Sequence, residues 1–210
     1  MSRNGGPGGG RQGVSRLAAM VLRQYGEHPG RALTEAEIGS LAGVDLGEAR
    51  QLIAWLERAG LLEPAPCNGQ PALVLADPSE QRRLRPRPLL LLVEDHASIA
   101  GMTEAVLTSE GYNVVLVRNP LEAHVILRVV AFDVILTDSF SPTIDLAARV
   151  LAPLLRRSAG TPVVLFTAHH WNPERVHAEG FTEIITKPFD IDGLLGRLDQ
   201  LCAFHRTASA

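Results

Sequence analysis

The sequence predicts an α/β domain built on a five-stranded parallel sheet, strand order 2-1-3-4-5, preceded by a smaller, mainly α domain. Three observations lead there. In the second half, short β-branched apolar runs alternate with segments of helical spacing; in the first half, three helical segments precede a hairpin; between them lies a proline- and arginine-rich stretch.

Taken in order, "MSRNGGPGGGRQG" is glycine-rich and reads as a flexible leader over residues 1–13. Helical spacing then runs through Leu17, Met20, Val21 and Gln24. In "LTEAEIGSLAGV", Thr34 is an N-cap and Glu37, three residues on, completes a capping box. A turn at Gly43 to Asp45 leads into "LGEARQLIAWLERAGLLE", where Ala49, Leu52, Ile53 and Leu56 form one apolar face. "LLE", a turn in "PAPCNGQP", and "ALVLA" then read as a β-hairpin. Three helices followed by a hairpin is a winged-helix arrangement, assigned to residues 14–76.

"ADPSEQRRLRPRPL" holds three prolines and four arginines without apolar periodicity, so residues 77–88 are expected to be an exposed linker. Beyond it, strands are expected at "LLLLV" (89–93), "NVVLV" (113–117), "FDVILT" (132–137), "TPVVLFT" (161–167) and "TEIIT" (182–186). Helical segments between them, such as Ile99, Met102, Val106 and Leu107, cover both faces of the sheet. This domain is assigned to 89–204, leaving a tail at 205–210.

The longest apolar runs are too short to cross a bilayer, no secretory h-region precedes the folded part, and Cys67 and Cys202 match no metal or disulfide spacing. A soluble, cytoplasmic protein without a membrane partner is expected. The net charge of −3 hides a contrast: residues 1–88 carry 11 arginines against 9 acids, residues 89–210 carry 9 basic residues against 14 acids. The acidic half is unsuited to coating nucleic acid; the mildly basic half is not excluded.

In an open parallel sheet, ligands bind beyond the carboxyl ends of the strands, where the order reverses. The residues there are Glu94, Asp95 and His96 after the first strand, Asp138 after the third, Thr167 and Ala168 after the fourth, and Lys187 after the fifth. Strands one and three are neighbours in this order, so Glu94, Asp95 and Asp138 are expected together. Clustered carboxylates need a cation, and hard oxygen ligands with room for water suit Mg²⁺. Asp138 would then be a placed nucleophile for a phosphoryl group, with the Thr167 hydroxyl one strand away. Lys187, the single lysine of the chain, lies two strands from Asp138, roughly 10 Å at usual strand spacing. A long side chain with a compact charge spans that gap where a planar guanidinium needs a wider slot.

These pieces resemble the receiver domain of bacterial two-component response regulators. The matching residues are "LLLVED" with Glu94 and Asp95, "FDVILTDSFSP" with Asp138 and Pro142, "PVVLFTA" with Thr167, and "TKPF" with Lys187 and Pro188. The resemblance spans residues 89 to about 204. It implies the flavodoxin-like 2-1-3-4-5 fold and phosphorylation of Asp138 by a histidine kinase or phosphotransfer protein. It also implies Mg²⁺ held by Glu94, Asp95, Asp138 and the Phe140 backbone carbonyl. Such a protein accepts a phosphoryl group rather than turning over a substrate, apart from slow self-dephosphorylation. Two departures stand out: Ile184 occupies the position where many members carry a switching Tyr or Phe, and "SFSPTIDLA" lacks the usual Met before Pro142 and Gly after Asp145. A haloacid-dehalogenase phosphatase would need an acid where this chain has Phe140, and "VEDHASIAG" offers no glycine-rich phosphate loop.

His169 and His170 read as loop residues, with His169 placed to tune phosphoryl loss. Cys67 reads as a small filler, and Trp55 as either core edge or exposed contact. For the winged helix, Arg50 and Gln51 are the best-placed base readers, with Arg58 also facing outward. Its third helix carries three acids between Asp45 and Glu57 against Arg50 alone, and the wing has no basic residue. Two roles therefore stay open: DNA binding that regulates transcription, or a signalling adaptor that binds protein or forms a homodimer.

Overall fold

Apolar runs without polar alternation form strands buried on both faces, and the longer segments between them supply the covering helices. The computed structural model describes residues 9–67, 69–158 and 160–208. The first part contains α1 (Gly9–Glu27), α2 (Glu35–Ala42), α3 (Leu46–Arg58), β1 (Leu62–Cys67) and β2 (Gln70–Leu75), followed by α4 (Pro78–Leu84). The second part alternates β3 (Leu89–Val93), α5 (Ala97–Ser109), β4 (Asn113–Val117), α6 (Pro120–Ile126), β5 (Val134–Thr137), α7 (Ile144–Arg157), β6 (Val163–Thr167), α8 (Pro173–Ala178), β7 (Glu183–Thr186) and α9 (Ile191–Ala208).

The five strands of the second part pair in parallel in the order β4-β3-β5-β6-β7, which is the expected 2-1-3-4-5. Side chains alternate between two buried faces. Leu89, Leu91, Val93, Val115 and Ile135 pack with α6, α7 and α8, whereas Leu90, Leu92, Val114, Val134 and Phe166 pack with α5 and α9. Three of the helices open on Asp-Pro or Asn-Pro. Asp77, Asn119 and Asn172 accept backbone N–H groups at 2.8–2.9 Å, while the following proline has no N–H to leave unpaired.

The capping box expected at Thr34 and Glu37 is present: Glu37 N–H donates to Thr34 Oγ1 at 3.3 Å and Thr34 N–H to Glu37 Oε2 at 2.8 Å. Asp45 and Glu48 form a second one at the start of α3. Ala49, Leu52 and Leu56 are buried. The hairpin strands run further than expected, with Pro66 opposite Pro71 in register. A two-stranded ribbon tolerates this because edge strands leave positions where an N–H is not needed. Leu33 bridges Leu73, and the buried Tyr25 hydroxyl donates to the Leu73 carbonyl at 2.8 Å, tying α1 and the α1–α2 loop to the ribbon.

Three expectations require correction. Residues 9–13 are the first turn of α1, and 205–208 continue α9; residues 1–8 and 209–210 lie outside the described residues, as does the Cys67 side chain. The supposed exposed linker contains the helix α4, and Gln81 within it and Arg85 just after it are buried. These two side chains are not solvated but matched to groups that would otherwise be orphaned at the lower rim of the sheet. Gln81 Nε2 donates to the Ala76 and Val129 carbonyls, and Gln81 Oε1 accepts the Ala131 N–H. Arg85 Nε lies 3.2 Å from Asp133 Oδ2, which also accepts the Leu89 N–H at 2.8 Å. A buried ion pair of this kind survives only when further hydrogen bonds share the desolvation cost.

The two parts share one apolar core. Ala18, Val21, Leu22 and Tyr25 of α1 belong to the same buried cluster as Leu91, Val117, Ala123 and Ile126. Helix α1 packs against β4, α5 and α6. At its end, a Cβ on Gly26 would lie 2.5 Å from the Val125 carbonyl oxygen, so the α1–α6 approach needs a glycine. At an open helical site Gly→Ala gains up to ~1 kcal/mol in propensity. Here the clash dominates: Gly26→Ala is expected to lower urea-unfolding stability by about 1–3 kcal/mol. An unchanged or higher midpoint would mean that α1 does not sit against α6.

Glu104 of α5 is buried at the same junction, where Ser15 of α1 hydrogen-bonds to it and its Oε1 has no partner. Burial lifts its carboxyl above the ordinary 4.5, outweighing the opposing pull of Ser15 and Arg16. The folded chain therefore keeps a proton that the unfolded chain would release. The contribution is full below pH 4.5 and is lost as pH rises through the raised folded value. Glu104→Gln should leave stability near pH 4 almost unchanged and raise it at pH 7, so that the urea midpoint of the variant climbs above that of the wild type between them. Parallel profiles for the two proteins would contradict this.

Candidate functional site

The strands end in step, and that places the chemistry. Val93 is in register with Thr137, and Thr167 with Thr186, so the residues that follow emerge at one edge of the sheet. The ladder continues one residue further to fix each of them. Asp138 N–H donates to the Val93 carbonyl at 2.8 Å, Glu94 N–H to the Val117 carbonyl at 3.1 Å, and Lys187 N–H to the Thr167 carbonyl at 2.7 Å.

From β7, Lys187 reaches across two strands. Its Nζ donates to Glu94 Oε2 at 2.6 Å and to Asp138 Oδ1 at 2.8 Å, and lies 4.4 Å from the centroid of the Phe166 ring. The Glu94 side chain is 2 % exposed, Lys187 13 % and Asp138 21 %. Screening by water is therefore weak for Glu94, and the cluster is stronger than an ordinary surface pair. The remaining carboxylate oxygens are also occupied: Glu94 Oε1 accepts the His96 N–H at 3.1 Å, and Asp138 Oδ2 accepts the Phe140 N–H at 2.9 Å. That last bond requires Phe140 at φ 52°, a left-handed conformation rare for a residue with a Cβ. Asp138 is the more accessible carboxylate, and Glu94 the buried anchor.

Thr167 is fully buried; its hydroxyl donates to Ser139 Oγ at 3.1 Å and accepts the His169 N–H at 3.2 Å. It is thus linked to the residue next to Asp138. His169 and His170 are loop residues, and the His169 ring stacks on Trp171 at 5.3 Å. Asp95 does not join the other two acids. Its side chain is exposed, its carbonyl accepts from Arg118 at 3.4 Å, and no three Asp, Glu, His or Cys side chains among the described residues gather as a metal cage. Two carboxylates and an ammonium form the cluster, where three carboxylates were expected.

On the first part, Arg50 and Gln51 are exposed on α3, and Arg50 Nε is engaged by Glu35 Oε1 at 2.7 Å. Arg58 opens on a different surface, a crevice of about 400 Å³ that it shares with Trp55, Arg87 and Tyr112 against the second part. Trp55 is half-buried and packs on the core. Ile184 is also half-buried against that core, so the position holds an aliphatic contact and no ring.

Sequence reasoning missed Ser139, Phe166 and Arg118. Ser139 had a signal, its place beside Asp138. Phe166 looks like one more apolar strand residue, and the reach of Arg118 to the Asp95 carbonyl crosses 23 positions; only the fold reveals either contact.

The family model of the response regulator receiver domain matches residues 90–199. Similar curated proteins include the uncharacterized transcriptional regulatory protein YkoG of Bacillus subtilis, 32 % identical over 111 residues, covering 52 % of this chain and 48 % of that protein. The transcriptional regulatory protein GlrR of Escherichia coli is 32 % identical over 123 residues, covering 58 % of this chain and 27 % of its own. The chain thus spans half or less of the length of these relatives. The Francisella response regulator 1452 receiver domain superposes with a TM-score of 0.50 at 26 % identity, over 56 % of this chain and 98 % of that structure. Among the described residues no helix is long and apolar enough to cross a membrane. Through residues 90–199, the chain belongs to the response regulator receiver domain family.

Proposed function

We propose that this protein is a phosphorylation-controlled response regulator. A histidine kinase or phosphotransfer protein phosphorylates Asp138, and the state of the receiver is read by a winged-helix module that binds DNA. The observation that carries the first half is the position of Lys187 Nζ, between Glu94 Oε2 and Asp138 Oδ1. An accessible carboxylate already beside an ammonium is a nucleophile with its counter-charge in place.

In the transfer, Asp138 Oδ forms the new P–O bond as the donor's P–N bond breaks, and the leaving imidazole nitrogen is protonated. Lys187 stays with Asp138 and meets the charge on the phosphoryl oxygens, while the Thr167 hydroxyl exchanges Ser139 for one of those oxygens. Glu94, nearly inaccessible, keeps Lys187 aimed. The donor set suits Mg²⁺: Asp138 is the more accessible carboxylate of the cluster, and Asp95, next to Glu94 in the chain, is exposed to water. This matches an ion that keeps several waters and takes only one or two carboxylates. Glu94, Asp95, Asp138 and the Phe140 carbonyl would hold it. When bound, it supplies charge neutralisation for the transferring phosphoryl group.

The DNA reading draws on the three helices and ribbon, with Leu33 bridging Leu73 as a third strand position and the polar face of α3 exposed at Arg50 and Gln51. A second reading, protein binding by an adaptor or homodimer, is favoured by one contact: Arg50 is already paired with Glu35 on a helix whose other charges are mostly acidic. The receiver match leaves residues 1–89 without a counterpart, so it does not decide between them.

Acetyl phosphate with Mg²⁺ should add one phosphoryl mass to the protein and none to Asp138→Asn; the absence of a gain in the wild type would sink the first half of the proposal. For the second half, retention on duplex DNA should fall steeply with salt and drop by a factor of ~10 in Arg50→Ala. Retention that ignores both salt and the substitution favours the adaptor.

A further inference from the structure

At the pole of the sheet opposite Asp138, helix α4, the turn after α6 and the end of α7 enclose a cavity of about 270 Å³. Arg82, Arg128 and Arg157 line it, with Ser79, Ser158 and Thr161 at its rim. Among the described residues no carboxylate lines it. Three guanidinium groups around one small space repel each other, and the nearest acid, Asp133, stands behind Arg82 outside the lining.

The bonding of each arginine distinguishes the cavity from an ordinary basic surface. Arg82 is anchored: its Nη2 donates to the Phe132 carbonyl at 2.8 Å and to Thr161 Oγ1 at 3.2 Å. Its Nε is buried without a hydrogen-bond partner, and Asp133 Oδ1, at 3.9 Å, is too far to supply one. That acid is committed to Arg85 and Leu89 on its other oxygen. Burial also lowers the Arg82 pKa, against the help of Asp133, the direction expected of a cation lacking a full counter-charge. Arg128 and Arg157 are exposed at the mouth, and their side chains make no hydrogen bond or ion pair among the described residues.

We infer that this cavity is a binding site for a phosphate group, held by Arg82, Arg128 and Arg157. A tetrahedral dianion can accept from three guanidinium forks at once, which a monocarboxylate cannot do as well. The volume lies just below the ~300 Å³ where pockets for drug-sized ligands begin, so a phosphate or small phosphate ester fits better than a dinucleotide. A bound anion would join α4, which carries the first part of the chain, to two receiver elements. The site would thus fasten the connection between the two parts independently of Asp138.

The phosphate could belong to a free small molecule or to a nucleic-acid backbone, and two probes separate these. The full chain is titrated by calorimetry with inorganic phosphate at constant ionic strength set with chloride, and separately with a short DNA duplex. Both titrations are repeated on Arg128→Ala/Arg157→Ala, whose lost side chains have no partners among the described residues. Saturable binding of phosphate, weakened about tenfold per arginine removed, identifies a free phosphate as ligand. Binding of the duplex alone, lost in the double variant, identifies backbone phosphate. If neither probe binds, or both bind wild type and variant alike, the assignment is wrong.

Discussion

Everything at the carboxyl edge of the sheet depends on one ammonium group. Glu94 and Asp138 are carried by adjacent strands and both reach the Lys187 Nζ, so without a cation between them their like charges would repel. Lys187 converts that repulsion into a three-membered cluster by reaching from β7 to both. Arginine could not replace it easily. Its planar fork would meet the two oxygens side by side, whereas these acids converge on a single point from different strands, with the Phe166 ring close to the same nitrogen. The proposed chemistry follows from the same arrangement, because a charge already centred on Asp138 need not be brought in when a phosphoryl group arrives.

The opposite pole of the sheet is held by arginine, and there the geometry reverses the preference. Arg82 spreads its donors over the Phe132 carbonyl and the Thr161 hydroxyl, and Arg85 over the Ala131 carbonyl and the Asp133 carboxylate, a job for a fork and not for a point charge. Together with Gln81 they turn α4 into a fixed strut. With α1 packed across β4, α5 and α6, the first part of the chain is docked on the receiver at two places. This bears on Ile184. Where a switching ring is absent, a change at Asp138 can still reach the first part through packed elements: Arg118, bonded to the Asp95 carbonyl, also lines a cavity with Arg16 and Arg23 of α1. Such a route counts as coupling only if its elements have two arrangements that the phosphoryl group biases.

Much of this was legible in the sequence. Strand order, the Thr34–Glu37 capping box and the meeting of Glu94, Asp138 and Lys187 all follow from local patterns whose physics is short-ranged: apolar runs, cap spacing, and residues just past strand ends. The failures were of one kind. "QRRLRPRP" has the composition of an exposed linker, yet Gln81 and Arg82 donate to carbonyls 48 and 50 positions away, and no local pattern announces such partners. The shared core between α1 and the sheet was hidden for the same reason. Counting acids did not reveal how the pair divides: adjacent residues at a strand end point in different directions, so Glu94 is buried while the Asp95 side chain is exposed.

Because Lys187 is the single lysine of the chain, lysine labelled with ¹⁵N at Nζ reports on the cluster through one resonance. The account predicts a sharp, slowly exchanging ammonium signal in the resting protein, since Nζ is bonded to two carboxylates and little exposed. Acetyl phosphate and Mg²⁺ should shift it in the wild type and leave it unmoved in Asp138→Asn. An ammonium signal broadened by free exchange with water, and unchanged by the phosphodonor, would contradict the central claim that Lys187 holds Asp138 for phosphorylation.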